Sequence, residues 1–147
     1  MSRFWHHAFR LLYSILALID PLVRRWWREF GIGNVVELVV DRRDGRGHRS
    51  RLVGLLRVGE RRYLGHPNGH VGWTRDLAGA WEALLTRPDG RRRAFRAALL
   101  APGNEREAAI RATDQHPFPG NVIYRLARRH VRAAGVFFRV DWLDGER

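Results

Sequence analysis

Residues 45–77 read GRGHRSRLVGLLRVGERRYLGHPNGHVGWTRDL and carry the strongest structural signal in the chain. They predict an arginine-rich turn, an apolar strand over 50–57, a tight turn at 58–61 and a second strand over 62–65. A glycine-rich loop at 65–69 then leads to a helix that begins at Trp73. Because backbone amides can face an anion where such a loop meets a helix, the stretch predicts a binding site.

Three arginines, Arg46, Arg49 and Arg51, crowd the start of the first of these strands. The planar guanidinium fork suits phosphate or carboxylate, so the group is interpreted either as an anion clamp or as a solvated strand end. The chain contains 27 basic residues, all of them Arg, and this usage weakens the argument from any single arginine.

The residues after the second strand also leave alternatives open. The glycine loop is either a plain turn or a place where a ring or phosphate approaches the backbone closely, since Gly has no Cβ to obstruct it. Trp73 is either a core anchor or a stacking residue. Arg75 and Asp76 either pair with each other or reach a ligand.

Length and composition limit the classes of function. A chain of 147 residues is long enough for one domain with a real core. It has no Cys, which excludes disulfides, thiolate nucleophiles and zinc–thiolate sites. The net charge of +12 attracts polyanions. No recognition-helix motif or RNA-binding signature accompanies that charge, so no specific nucleic-acid partner is expected.

Catalytic motifs that depend on side chains alone are missing from the sequence. His66 and His70 have the i, i+4 spacing of a helical metal site, but Pro67 and Gly69 lie between them, so we expect no metal. No Ser stands in a nucleophile elbow. This pattern is compatible with an enzyme whose cofactor does the chemistry.

Residues 1–30 form a compositional zone of their own, which we predict to be separate from a domain at 31–147. Apolar residues recur at helical spacing up to residue 19, Asp20-Pro21 breaks the pattern, and a second short helix fits 21–30. The apolar run is shorter than the roughly 20 residues that span a bilayer. Arg and Trp beside it fit an interfacial helix on anionic lipid; the alternative is a helix that covers the core domain or a dimer partner.

The second half of the chain predicts helices at 104–113 and 121–132 and a final strand at 136–143. Asn104 with Glu107 forms a capping pair for the first helix. The second helix has a predicted buried stripe of Val122, Ile123, Leu126 and Val131.

The motifs over residues 35–143 resemble the deazaflavin-dependent nitroreductase and quinone reductase family. WTRDL is similar to the family's W-x-x-N-L, with Asp76 in place of Asn, and GRGHRSR is similar to its arginine-rich turn, with Gly47 and His48 in place of Ser and Gly. The resemblance implies an α+β fold, a six-stranded antiparallel split β-barrel with N-terminal and peripheral helices. With it, both flanks of the turn at 87–90 are predicted strands, at 80–86 and 93–100.

The resemblance also implies the cofactor coenzyme F-420, with FMN as the nearest alternative. Residues of the first strand would hold its phosphate and ring edge, and residues from the glycine loop onward would cover the other side. The implied cofactor-binding set is Arg46, Gly47, Arg49, Arg51, Leu52, Val53, Gly54, Gly65, His66, Pro67, Asn68, Gly69, Trp73, Arg75, Asp76 and Leu77.

The implied reaction is hydride transfer from reduced coenzyme F-420 to a quinone or nitroaromatic-like acceptor. His116 and Tyr124 are the predicted catalytic proton donors, His116 because unperturbed His titrates near neutrality, and Phe118 is the predicted substrate contact. The alternative is a non-catalytic split barrel that binds a flavin-type cofactor or an apolar ligand at a membrane surface. The expected partners are a small apolar electron acceptor, an anionic membrane surface and a second copy in a homodimer, in the cytoplasm or on the inner face of the cell membrane.

Overall fold

The computed structural model describes residues 2–143. Its seven strands form one antiparallel sheet. The strands are β1 Val35–Asp41, β2 His48–Gly54, β3 Leu56–Val58, β4 Arg61–His66, β5 Ala83–Thr86, β6 Arg92–Leu99 and β7 Val136–Trp142. The helices are α1 Ser2–Leu18, α2 Asp20–Phe30, α3 Gly72–Gly79, α4 Asn104–Arg111, α5 Gly120–Leu126 and α6 Arg128–Ala134, with a 3-10 helix at Ala112–Gln115.

The sheet is curled, because its two edge strands are consecutive in the chain. The spatial order is β2-β1-β5-β6-β7-β4-β3, so the chain passes from one edge to the other at Leu55. Asn34 explains the break: Leu55 donates its backbone N–H to the Asn34 carbonyl (3.0 Å), and the Asn34 amide donates to the Leu55 carbonyl (3.1 Å). The predicted strand 50–57 is therefore two strands, and the sheet has seven strands instead of the predicted six.

Apolar residues fill both sides of the sheet. The concave face holds Leu38, Leu85 and Phe138 with Trp73 and Leu77 of α3. The opposite cluster packs the other face against α1 and the later helices; its members include Phe9, Leu56, Tyr63, Ile110, Tyr124 and Phe137. Consecutive strand residues point to opposite faces, which is why the neighbours Phe137 and Phe138 enter different clusters.

The predicted strands flanking the turn at 87–90 are confirmed as β5 and β6, which pair with each other. Two details of the later helices were wrong. The N-cap of α4 is Gly103, without a side-chain cap, because the Glu107 carboxylate accepts a hydrogen bond from Arg132 (2.9 Å) instead of capping with Asn104. The predicted helix 121–132 is divided between α5 and α6 at Ala127, whose backbone leaves the helical conformation.

This division changes the buried face of that segment. Val122 and Leu126, predicted to be buried, are 39% and 69% exposed. Tyr124, Ala127 and His130 are buried in their place, because one helical period cannot continue through the break.

The predicted break between two N-terminal helices is confirmed, since α1 ends at Leu18 and α2 begins at Asp20. Phe9 of α1 is buried in the second cluster, and the Trp27 indole of α2 donates to the Val35 carbonyl (2.8 Å). Arg24 binds Glu37 of β1 (2.8 Å). The division into domains at residue 30 stays a prediction. Within residues 2–143, no helix is both long enough and apolar enough to traverse a bilayer.

Candidate functional site

A partly buried ion pair joins the two halves of the stretch 45–77. The Arg49 guanidinium donates to Asp76 of α3 (Nε to Oδ2, 2.6 Å), and the Arg43 backbone N–H donates to the other carboxylate oxygen (3.1 Å). Burial alone would raise the pKa of Asp76, but the hydrogen bonds from Arg49 and Arg43 outweigh it and hold that pKa below its usual value. Asp76 therefore binds across to β2, and it neither pairs with Arg75 nor faces open solvent.

The register of β2 places two predicted clamp residues on the concave face. Arg49 lies opposite Val40, and Arg51 lies opposite the buried Leu38. Side chains directly opposite each other in an antiparallel pair share a face. Ser50 points to the other face, where its hydroxyl donates to Glu37 (2.6 Å).

Arg51 differs from Arg49 in having no carboxylate within ion-pair distance among residues 2–143; its guanidinium donates to the Ser50 carbonyl (3.0 Å). Burial lowers the pKa of Arg51, and the nearby charge of Arg49 lowers it further, while the charge of Asp20 opposes this in part. Arg46 lies in the exposed β1–β2 loop, with its backbone N–H on Asp44 (2.9 Å). A guanidinium that is repelled by its neighbours is stabilised by an added anion, so Arg51 is the strongest anion-binding candidate in this group.

The other predicted cofactor residues on β2 are divided between the two faces. Val53 lies opposite Val36 and packs against the concave core, whereas Leu52 lies opposite Glu37 on the outer face. Gly47 has a φ of 90° in the hairpin turn, a conformation that favours Gly. Arg75 is exposed, and Trp73 and Leu77 belong to the concave core.

The glycine loop is covered on one side by α1. The Asn68 amide donates to the His6 carbonyl (3.1 Å), and the Asn68 side-chain oxygen is 2.7 Å from His130 Nε2. A Cβ on Gly65 would stand 2.5 Å from the Phe137 ring, so glycine at this position leaves room for that ring in the core. Pro67 and Gly69 complete a loop whose α1 side is closed.

Four rings form a layer where α1 meets the barrel, which we call the ring layer: Tyr13 of α1, His66, Tyr124 and His116. The Tyr13 ring stacks on His66 (5.1 Å between centroids), and the His116 ring stacks on Tyr124 (4.7 Å). The two tyrosine hydroxyls are 3.4 Å apart. The structure thus brings His116 and Tyr124 together, whereas Phe118 lies apart from them with 79% of its surface exposed.

Burial keeps the ring layer uncharged. It lowers the pKa of both His66 and His116 to about 4. It also raises the pKa of Tyr13, and it raises that of Tyr124 well above 10. His116 was predicted to be a proton donor because unperturbed His titrates near neutrality. Its lowered pKa makes that reason wrong. At pH 7 its imidazole is neutral, and it can donate or accept a hydrogen bond without carrying charge.

Sequence reasoning missed two features. Tyr13 lies one helical turn after the buried Phe9, and this spacing was an available signal. A cavity of about 370 Å³ has Val36, Leu85 and Trp142 among its lining residues, together with arginines of the β5–β6 hairpin. No motif predicted it. Among residues 2–143, no group of three or more potential metal ligands could hold an ion.

No family model and no curated protein matches this chain by sequence. Solved structures do match. The heme storage protein HutZ from Vibrio cholerae aligns at 11% identity with a TM-score of 0.56, over 86% of this chain and 92% of that chain. The fold is that of the split-barrel proteins. A protein of the pyridoxinephosphate oxidase family from Clostridium acetobutylicum, related to general stress protein 26 of Bacillus subtilis, aligns at 11% identity and a TM-score of 0.53, over 97% and 85% of the two chains.

At these identities the likeness shows the split-barrel fold alone. A structure described as an F-420 reductase aligns at 14% identity, over 76% of this chain and 88% of that chain. Its TM-score is 0.47, so it adds nothing to the fold assignment. The neighbours are split barrels, and they do not single out the deazaflavin-dependent family within that fold.

Proposed function

We propose that this split barrel binds a flavin-type cofactor and is an oxidoreductase that transfers a hydride from reduced coenzyme F-420 to a quinone or nitroaromatic-like acceptor. One observation carries the proposal. The hydrogen bond from Arg49 to Asp76 joins β2 to α3, the two elements predicted to line a cofactor site, and Arg51 lies two residues farther along β2.

The residues present fit the anionic end of such a cofactor. Arg51 lies on the concave face without a carboxylate partner among the described residues, and Arg46 lies in the preceding loop. Arg49 already donates a hydrogen bond to Asp76, and it would keep that bond when a cofactor is present. A phosphate or carboxylate tail would therefore be held by Arg46 and Arg51, with the rest of the cofactor toward Gly54 and α3.

The cofactor would supply the hydride chemistry, and the protein would supply position and electrostatics. His116 and Tyr124 stack on each other and are uncharged at neutral pH. Their role would be to orient an acceptor by hydrogen bonds, with the Tyr124 hydroxyl still carrying its proton. The covering helix α1 would limit access of water to this layer through Tyr13.

Cofactor binding tests the anion clamp. We expect Arg46→Gln with Arg51→Gln to weaken binding of coenzyme F-420, because each charge-assisted contact contributes about 1.5 to 3 kcal/mol, or about 10- to 150-fold in Kd. Fluorescence titration measures the affinity, and its salt dependence should flatten. The matched control is Arg129→Gln, an exposed arginine on α6. If the double variant bound coenzyme F-420 as tightly as the Arg129→Gln control, the proposal that Arg46 and Arg51 hold its anionic end would be wrong.

Turnover tests the reaction. We expect oxidation of reduced coenzyme F-420 to require a quinone or nitro acceptor, and His116→Ala or Tyr124→Phe to lower its rate by about 10- to 10⁴-fold while cofactor affinity is retained. Visible absorbance follows the reaction, and the same titration with FMN distinguishes the two cofactors. Tight cofactor binding without oxidation by any acceptor would indicate the non-catalytic binder instead.

A further inference from the structure

Most of the large apolar side chains exposed in the described part of the chain lie on α1 and α2. Residues 14–19, the last turn of α1 and the residue that follows it, are exposed at every position. Leu18 is 84% exposed, and Leu22, just across the break between the helices, is 72% exposed. A contiguous apolar surface of this kind marks an interaction site. We call residues 14–23 the apolar apex.

The apolar apex is bordered by positive charge. Its single ionisable acid, Asp20, accepts a hydrogen bond from Arg24 (2.7 Å), so it adds no unpaired negative charge. Arg10 precedes the apex, and Arg25 and Arg28 follow it, all of them exposed. Glu29 lies 4.0 Å from Arg25, so the border keeps a net positive charge. Trp26, between the last two, is 59% exposed. Arginine and tryptophan beside an apolar helix surface are typical of a segment at the boundary between headgroups and acyl chains.

We propose that the apolar apex inserts into the surface of an anionic bilayer, with Arg10, Arg25 and Arg28 on the lipid phosphates. In this arrangement the apex lies in one face of the bilayer. The anchored parts of the helices are Phe9 and Trp27, which are buried against the barrel and hold the apex in place.

Two observations favour a bilayer over a second copy of the chain. Residues 14–19 are exposed around the whole helix, and a bilayer surrounds such a segment, whereas a protein surface covers one side of it. The net charge of +12 repels a second copy and attracts anionic lipid. Both the shape and the charge of this surface therefore match a lipid partner.

Flotation with vesicles tests the docking surface. We expect the full chain to float with mixed phosphatidylcholine and phosphatidylglycerol vesicles, and to float less with phosphatidylcholine alone or in high salt. Leu18→Glu with Leu22→Glu should weaken binding by about tenfold or more, because two exposed side chains lose their burial in lipid. The matched control is Leu99→Glu with Leu126→Glu, which changes two exposed leucines away from the apex and should float as wild type does.

Charge and self-association complete the test. Arg25→Glu with Arg28→Glu should abolish the preference for anionic vesicles, and circular dichroism verifies that each variant is folded. Flotation of the Leu18 and Leu22 variant equal to wild type would overturn the proposal. Sedimentation that shows a dimer lost on the same two substitutions, without flotation of wild type, would overturn it in favour of a second copy.

Discussion

His66 and His116 are two imidazoles that the fold holds in the neutral form. Burial lowers the pKa of each to about 4, below the usual 6.5. Above pH 6.5 both states of the protein are neutral at these positions, so stability is unaffected. As the pH falls from 6.5 toward 4, the unfolded chain takes up protons that the native protein cannot, and the native state is destabilised by about 3 kcal/mol for each group.

We expect the free energy of unfolding to fall between pH 6.5 and 4.5 for this reason. His66→Gln and His116→Gln should each reduce the slope, and the double variant should remove both contributions. Urea unfolding at stepped pH measures the slope, and the window lies above the range in which Asp76 and Glu105, whose pKa values are lowered, become protonated. A double variant with the full wild-type slope would contradict this account.

The crossing from β2 to β3 is the element that curls the sheet. Gly54 ends β2, and the space that its Cβ would occupy is taken by the His116 ring, which in turn stacks on Tyr124. Leu55 leaves the ladder because Asn34 binds both of its backbone groups. The strand break and the ring layer therefore depend on the same few contacts.

Gly54→Ala should be destabilised by about 1 to 3 kcal/mol, since a Cβ there would displace a packed ring. Replacing the ring as well, in Gly54→Ala with His116→Ala, should cost less than the sum of the two single changes. Thermal unfolding measures both. The control is Gly79→Ala at the end of α3, where an added Cβ meets nothing. Additive costs in the double variant would show that the ring does not fill this space.

Across the whole molecule, the sheet separates two apolar clusters, and helices cover both. The helix α3 packs on the concave face through Trp73 and Leu77, and α1 covers the other cluster through Phe9. The arginine-rich strand β2 and the ring layer lie at the margin between the two. A ligand bound at this margin would contact a strand, a helix and a loop at once.

The sequence predicted the elements better than it predicted their contacts. Apolar runs and Gly-containing turns predict the strands and the hairpin at 87–90 because these signals are local. The break at Leu55 depends on Asn34, 21 positions earlier along the chain, and local patterns carry no such information. For the candidate site, the arginines of β2 were predicted. The hydrogen bond from Arg49 to Asp76 was not, because it depends on α3 lying near that strand in the folded chain.

The order of the strands also bears on solubility. Within the described sheet β2 pairs with β1 alone, so its other side is an edge to which a strand of another molecule could add. His48, Arg49 and Arg51 stand along that strand, and charged side chains in such a position discourage strand addition and aggregation. The arginines of β2 thus protect the barrel from self-assembly whether or not an anion is bound to them.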